Sequence, residues 1–230
     1  MSLIDLASMV LAPTAVKDGK VYNAIPNDQD FTFSRGTEAT RVNSAGLIEK
    51  ARTNFLLQSN TFNTTWSKSS GITLTSGQAG YDGSNDAWLV ERSAAYNNLY
   101  QSNSSFFTPV STISVYAKAG TYNFLRFAVA GVGEQVYFNL TDGSVGVNTE
   151  LIASSAESVG NGWWRLSATF QDSSASGIYI QPVETDGGIG NAGTGSIYIQ
   201  DAQLEQGLIS TDVITTTTSS VTVGVTDDLP

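Results

Sequence analysis

From Asn54 onward, apolar side chains return at every second residue in short runs, and each run is closed by Gly, Asn, Asp or Ser. Ile113, Val115 and Ala117 form one series, and Leu125, Phe127 and Val129 the next. Val136, Phe138 and Leu140 follow, then Trp164, Leu166, Ala168 and Phe170, then Ile178 and Ile180. A period of two places such residues on one side of a strand, and a strand with one apolar side must bury it against a second layer. Several such strands at this spacing predict an all-β sandwich. The pattern predicts strands at 54–59, 72–76, 86–92, 97–101, 111–118, 123–130, 134–140, 163–171, 177–184 and 195–206. Turn-forming clusters at Gly80–Ser84, Thr141–Ser144, Asn161–Gly162 and Asp186–Gly195 separate several of them. Trp66, Trp88 and Trp164 have apolar neighbours and are expected as core anchors, whereas Trp163 is open to either role.

With 230 residues the chain is long enough for one substantial β-domain with an extension. Residues 1–52 read as an N-terminal arm and connector, 53–207 as the sandwich, and 208–230 as a Thr- and Ser-rich extended tail in which Val221, Val223 and Val225 suit one late strand. Leu3, Leu6, Met9 and Val10 share one helical face, but the run stops before Pro13 and needs a surface to pack on. That segment carries Asp5 and no leading basic residues, which makes a poor signal peptide, and it is too short to cross a bilayer. The formal charge of −10 belongs to the body, because residues 1–52 carry six acidic and six basic side chains. An acidic body without a basic stripe disfavours nucleic acid and an anionic membrane surface. The absence of Cys and His removes disulfides, thiolate and imidazole chemistry and the usual zinc or iron ligands.

The segment Asp30–Lys50 joins the two parts, and within it Phe31 and Phe33 alternate with Asp30, Thr32 and Ser34 as in a short strand. Its strings FTFSR (Phe31–Arg35), ATRVN (Ala39–Asn43), GLIE (Gly46–Glu49) and RTN (Arg52–Asn54) continue into LLQSNTFNTTW (Leu56–Trp66), ISVYAKAG (Ile113–Gly120), NGWWRLSATF (Asn161–Phe170) and SIYIQDAQLEQG (Ser196–Gly207). In that order they resemble tail-fibre, head-fibre and related structural proteins of tailed bacteriophages. The later strings also resemble carbohydrate-binding modules with a galactose-binding-like jelly roll. The resemblance implies a jelly-roll β-sandwich at the surface of a virion, joined to other virion proteins through its N-terminal arm and C-terminal tail. It also implies assembly as a homotrimer and contact with a host-surface glycan. A secreted bacterial carbohydrate-binding module is the alternative reading.

Sugar sites combine an aromatic plane for the C–H face of a pyranose with amide or guanidinium groups for its hydroxyls. Tyr116, Arg126, Tyr137, Tyr179 and Gln181 are the outward-facing residues of that chemistry, expected on adjacent strands of one sheet, although aromatic residues and Arg serve protein interfaces equally well. Calcium is the metal suited to this donor set, and no cofactor is required. The family likeness implies a structural calcium beside the last strand, held by Asp201 with Asn60, and Ala202 stands where a second acidic residue is common. Glu91, Glu134, Glu184 and Glu205 offer no evident catalytic pair, so the chain is expected not to be an enzyme. The Gly-rich stretch Asp186–Gly195 lacks the Lys-Ser/Thr ending of a phosphate loop and is expected to be a hairpin connection.

Overall fold

The computed structural model describes residues 52–102, 110–131, 133–171 and 176–223, together with the backbone of five short strands nearer the N-terminus. The chain forms two compact units, Met1–Arg52 with Thr222–Pro230, and Thr53–Val221. In the first unit, β1 (Pro13–Lys17), β2 (Lys20–Asn23) and β3 (Phe31–Thr32) make a three-stranded antiparallel sheet. β4 (Thr40–Val42) and β5 (Ile48–Lys50) form a hairpin. The helical face expected at Leu3–Val10 lies outside the described residues.

The second unit is a jelly-roll sandwich of two six-stranded sheets whose neighbouring strands all pair antiparallel. After β6 (Arg52–Asn54) come β7 (Ser67–Lys68), β8 (Ile72–Gln78), β9 (Ala87–Arg92), β10 (Leu99–Ser102), β11 (Ser111–Ala119) and β12 (Phe124–Ala130). They are followed by β13 (Gln135–Asn139), β14 (Val145–Thr149), β15 (Ala153–Gly160), β16 (Trp163–Phe170), β17 (Gly177–Val183), β18 (Gly195–Gln206) and β19 (Val221–Val223). The front sheet has the order β14-β13-β12-β17-β10-β7 and the back sheet β15-β16-β11-β18-β9-β8, while β19 pairs with β6. Val225, expected in the late strand with Val221 and Val223, lies outside the described residues.

The alternating apolar series all meet between the two sheets. Ile113, Val115, Leu125, Phe127, Val136, Phe138, Leu166 and Ile180 have no exposed surface, and Trp66 and Trp88 join them, with Trp164 packed at the margin. Burying each such side chain contributes about 1.5–3 kcal/mol, and this interior holds the sheets face to face. β14 and β15 are absent from the pattern-based expectation because VGVNT and ASSAESVG have no inward apolar period, and their side chains are mostly exposed. The strand expected at 54–59 ends at Asn54, where Gln58 takes a left-handed φ of 52° and the chain turns.

Asn54 itself is fully buried and joins three stretches of chain. Its Nδ2 donates to the carbonyls of Ile214 at 2.8 Å and Ala202 at 3.3 Å, and its Oδ1 accepts the N–H groups of Leu56 at 3.0 Å and Leu204 at 3.1 Å. Thr216 extends the link, because its N–H donates to Ser59 Oγ at 2.9 Å while the Gln58 N–H donates to the Thr217 carbonyl at 2.7 Å. Residues 208–217, whose composition reads as a tail, therefore lie along the sandwich with Ile214 and Thr216 buried. Replacing Asn54→Ala leaves four buried backbone groups unpaired, and urea unfolding is expected to lose about 3 kcal/mol. A loss below about 1 kcal/mol would show that water or relaxation replaces these bonds.

Candidate functional site

Because Leu125, Phe127 and Val129 point inward from β12, Arg126 and Ala128 point outward on the front sheet. The same alternation turns Tyr179 and Gln181 of β17, Gln135 and Tyr137 of β13, and Tyr100 of β10 to that face. Strand register lines them up in two rows. The first runs Ser67, Tyr100, Tyr179, Ala128, Gln135, and the second Gln181, Arg126, Tyr137.

Tyr100 and Tyr179 are half-buried, and their rings lie 5.5 Å apart at 62°. Beside them in the row stands the small, buried Ala128. The Arg126 Nε donates to Gln135 Oε1 at 2.7 Å, its Nη1 donates to Gln181 Oε1, and its guanidinium stands 5.8 Å from the Tyr137 ring centre. Burial lowers the Arg126 pKa and raises that of Tyr137. Even so, an arginine remains charged at neutral pH. The segment after β17 reaches over Tyr137, whose hydroxyl lies against the Ile189 backbone. That segment is anchored by the fully buried Arg92, which donates to the carbonyls of Ala94 at 2.8 Å, Pro182 at 2.9 Å, Ile189 at 3.3 Å and Asn191. A fixed guanidinium, the partly exposed Gln135 amide and two inclined, partly exposed phenol rings on one face can satisfy hydroxyls while covering apolar C–H surface.

Four of the five residues expected at a sugar site thus come together: Arg126, Tyr137, Tyr179 and Gln181. Arg126 and Tyr179 retain partial exposure, whereas Tyr137 and Gln181 are buried beneath and beside them. Tyr116 is the exception, because β11 belongs to the back sheet. Alternation fixes the side of a strand but not the sheet it joins. Tyr116 stacks on Tyr81 at 3.6 Å and 4°, with the Arg165 guanidinium 5.4 Å from its ring centre and Trp163 nearby, so it is covered by its own chain. Tyr100 and Tyr81 were not singled out by the sequence pattern, although Tyr100 alternates with the inward Leu99 and Gln101.

Asp201 and Asn60 also meet. The register of β11 against β18 shifts here, Asp201 takes a φ of 50°, and its N–H donates to Asn60 Oδ1 at 3.2 Å. The Tyr81 hydroxyl donates to the Asp201 carboxylate at 3.2 Å. Burial, with repulsion from Asp86 and Asp82, raises the Asp201 pKa to about 6, and burial with the Asp201 charge raises that of Tyr81. The surrounding donors are hard oxygens, the class calcium prefers. As arranged, Asn60 Oδ1 is engaged by the main chain, and among the described residues no three His, Cys, Asp or Glu side chains converge to hold an ion. A calcium ion at Asp201 therefore stands as a proposal.

No family model matches this chain, and no curated protein does. Among solved structures, it is similar to the CBM22-1 xylan-binding domain of Paenibacillus barcinonensis Xyn10C at 14% identity and a TM-score of 0.42, covering 69% of this chain and 94% of that one. The CBM22-2 xylan-binding domain of the same protein gives 13% identity and 0.40, covering 67% and 98%. The CBM22-1–GH10 modules of Clostridium thermocellum Xyn10B, complexed with xylohexaose, give 14% and 0.40, covering 71% and 29%. At this level of identity the functional reading rests on the site alone.

Since the folded pKa of Asp201 lies above its ordinary 3.8, the native state binds the proton more tightly than the unfolded chain. The destabilisation from its ionisation is absent below pH 3.8, grows as pH rises toward about 6, and is complete above that. In chelator, Asp201→Asn is expected to raise Tm at pH 8 and to leave it unchanged near pH 3.5. Calcium added at pH 8 should raise the Tm of the unsubstituted chain but not of Asp201→Asn if the ion binds here, and equal responses would place it elsewhere.

Proposed function

We propose that this chain is a non-catalytic carbohydrate-binding protein that takes a soluble glycan chain across the front sheet, at the row Tyr100, Tyr179, Ala128, Gln135. The observation that carries this reading is the pair of partly exposed rings at 62°, next to the charged guanidinium of Arg126. A flat crystalline polysaccharide calls for coplanar rings, whereas inclined rings suit a single chain whose successive sugars are turned. This row crosses four strands about 4.8 Å apart, room for a few sugar units.

Glu205, Glu91 and Glu184 lie off this row, and Glu134, which precedes Gln135, is buried and accepts the Gln171 N–H, so no pair of carboxylates flanks it, which supports a binding role. Glu205 is buried on β18, where it accepts from the Thr211 N–H and hydroxyl and from Gln203. Glu91 is on β9 of the back sheet, Glu134 sits before β13, and Glu184 follows β17.

The strings within Asp30–Lys50 support display of this face on a phage particle, as an adhesive fibre, tail or head-surface component with its termini on other virion proteins. In a bacterial secreted module the same face would serve the same chemistry, and proteomics of purified particles distinguishes the two. Binding is tested by calorimetry against soluble glycans selected on an array. Tyr179→Ala and Tyr100→Ala are each expected to weaken the best ligand about tenfold, and Tyr116→Phe to leave it unchanged. Binding that survives both alanine variants would remove the front sheet as the site.

A further inference from the structure

Seven large apolar side chains stay exposed among the described residues, and six of them gather on one flank. Val145 and Val147 lie on β14, Ile152 and Val159 at the two ends of β15, and Leu208 and Ile209 line the same groove as β15. β14 and β15 are the end strands of the front and back sheets, and β14 lies beside β15. Along the outer surface of β15 runs a cavity of about 310 Å³, lined among others by Ser155, Glu157, Ser167, Thr169, Leu208 and Ile209.

The two flanks of the sandwich differ in how they treat their edges. At the other flank β7 has two residues and carries Lys68, and β8 is broken by a register shift between Thr75 and Gln78 with Gly77 at a φ of 79°. Short length, lysine and a bulge all discourage a foreign strand from pairing. β15 has eight residues, no Pro, Lys or Arg, and its one irregularity, between Ser158 and Gly160, is at its end. Among the described residues, β16 is its sole strand neighbour.

We infer that β15 is the docking edge for a second copy of this chain, paired antiparallel about a twofold axis at Ala156. The occupant is indicated by the strand's own order of residues. Read outward from Ala156 in both directions, Ser155 faces Glu157 and Ser154 faces Ser158, and Ala153 falls beside Val159 at the bulge. Like therefore meets like in polarity at every position, as an isologous contact requires. A hydroxyl meets the carboxylate and the apolar residues meet at both ends. Centring the pair on Glu157 instead would oppose two carboxylates, which penalises that register. Pairing at Ala156 extends the back sheet to twelve strands across two molecules. It also brings the exposed Leu208–Ile209 pairs and the β14 valines of both copies toward the joint, withdrawing them from water.

Sedimentation equilibrium of the full chain provides the test, with a reversible dimer expected. Ser155→Glu sets a carboxylate against Glu157 of the second copy twice over, and is expected to weaken the dimer at least about tenfold. Ser155→Lys, which sets an ammonium against Glu157 of the second copy instead, should keep the dimer. Ser155 is exposed and its hydroxyl shares a 2.8 Å hydrogen bond with that of Ser167, so the Ser155→Glu monomer should melt within a few degrees of the unsubstituted monomer at equal low concentration. The chain has no cysteine, which makes Ala156→Cys a direct probe: facing Cα atoms in an antiparallel pair are within disulfide reach. Mild oxidation should give a covalent dimer. A chain monomeric at all concentrations, or a dimer or trimer indifferent to Ser155→Glu, would overturn the assignment, as would failure of Ala156→Cys to cross-link.

Discussion

The Asn54 carboxamide decides which face of this sandwich is free. By accepting from Leu56 and Leu204 and donating to Ala202 and Ile214, it fixes the turn after β6 to the second half of β18 and holds residues 208–217 against both. Those residues in turn cover the middle of the back sheet. Thr211 receives Arg165 and donates to Glu205, and Gln203 accepts the Ile214 N–H at 2.7 Å. All of these groups are buried or half-buried, so the bonds form a mutually dependent set rather than a list of independent contributions.

The consequence is an asymmetry between two chemically similar faces. Both sheets present Tyr, Arg and Gln outward. On the back sheet those residues are used internally, with Tyr81 laid over Tyr116 and Asp201 turned toward Tyr81. On the front sheet the guanidinium of Arg126 is braced by Gln135 and Gln181, and the tyrosines Tyr100 and Tyr179 remain accessible. Part of Tyr100, Tyr179, Arg126 and Gln135 therefore stays in solvent, while Tyr137 and Gln181 are covered. Arg92 limits that face at one end by fixing the segment that reaches Tyr137.

Much of the sandwich is legible in the sequence because its interior is built on strict alternation, and every residue assigned inward on β11, β12, β13 and β17 is buried there. The edges are not legible for the same reason. β14 and β15 have little to bury, so Ser, Ala and Gly carry no period. The candidate site is legible in part: alternation on β12, β13 and β17 turns Arg126, Tyr137, Tyr179 and Gln181 to one side. Tyr116 has the same local pattern, and only the long-range pairing of β11 with β16 and β18 separates it from them. The course of residues 208–217 depends on side-chain bonds to residues about 160 positions earlier, which no local pattern contains.

The claim that the front sheet is the binding face is most directly tested by mapping backbone amide chemical shifts on the full chain during titration with the tightest soluble glycan. Saturable shifts are expected to concentrate at Leu99–Ser102, Phe124–Ala130, Gln135–Asn139 and Gly177–Val183 and to leave Ser111–Ala119 and Trp163–Phe170 unmoved. Shifts concentrated on the back-sheet strands, or none at saturating ligand, would contradict it.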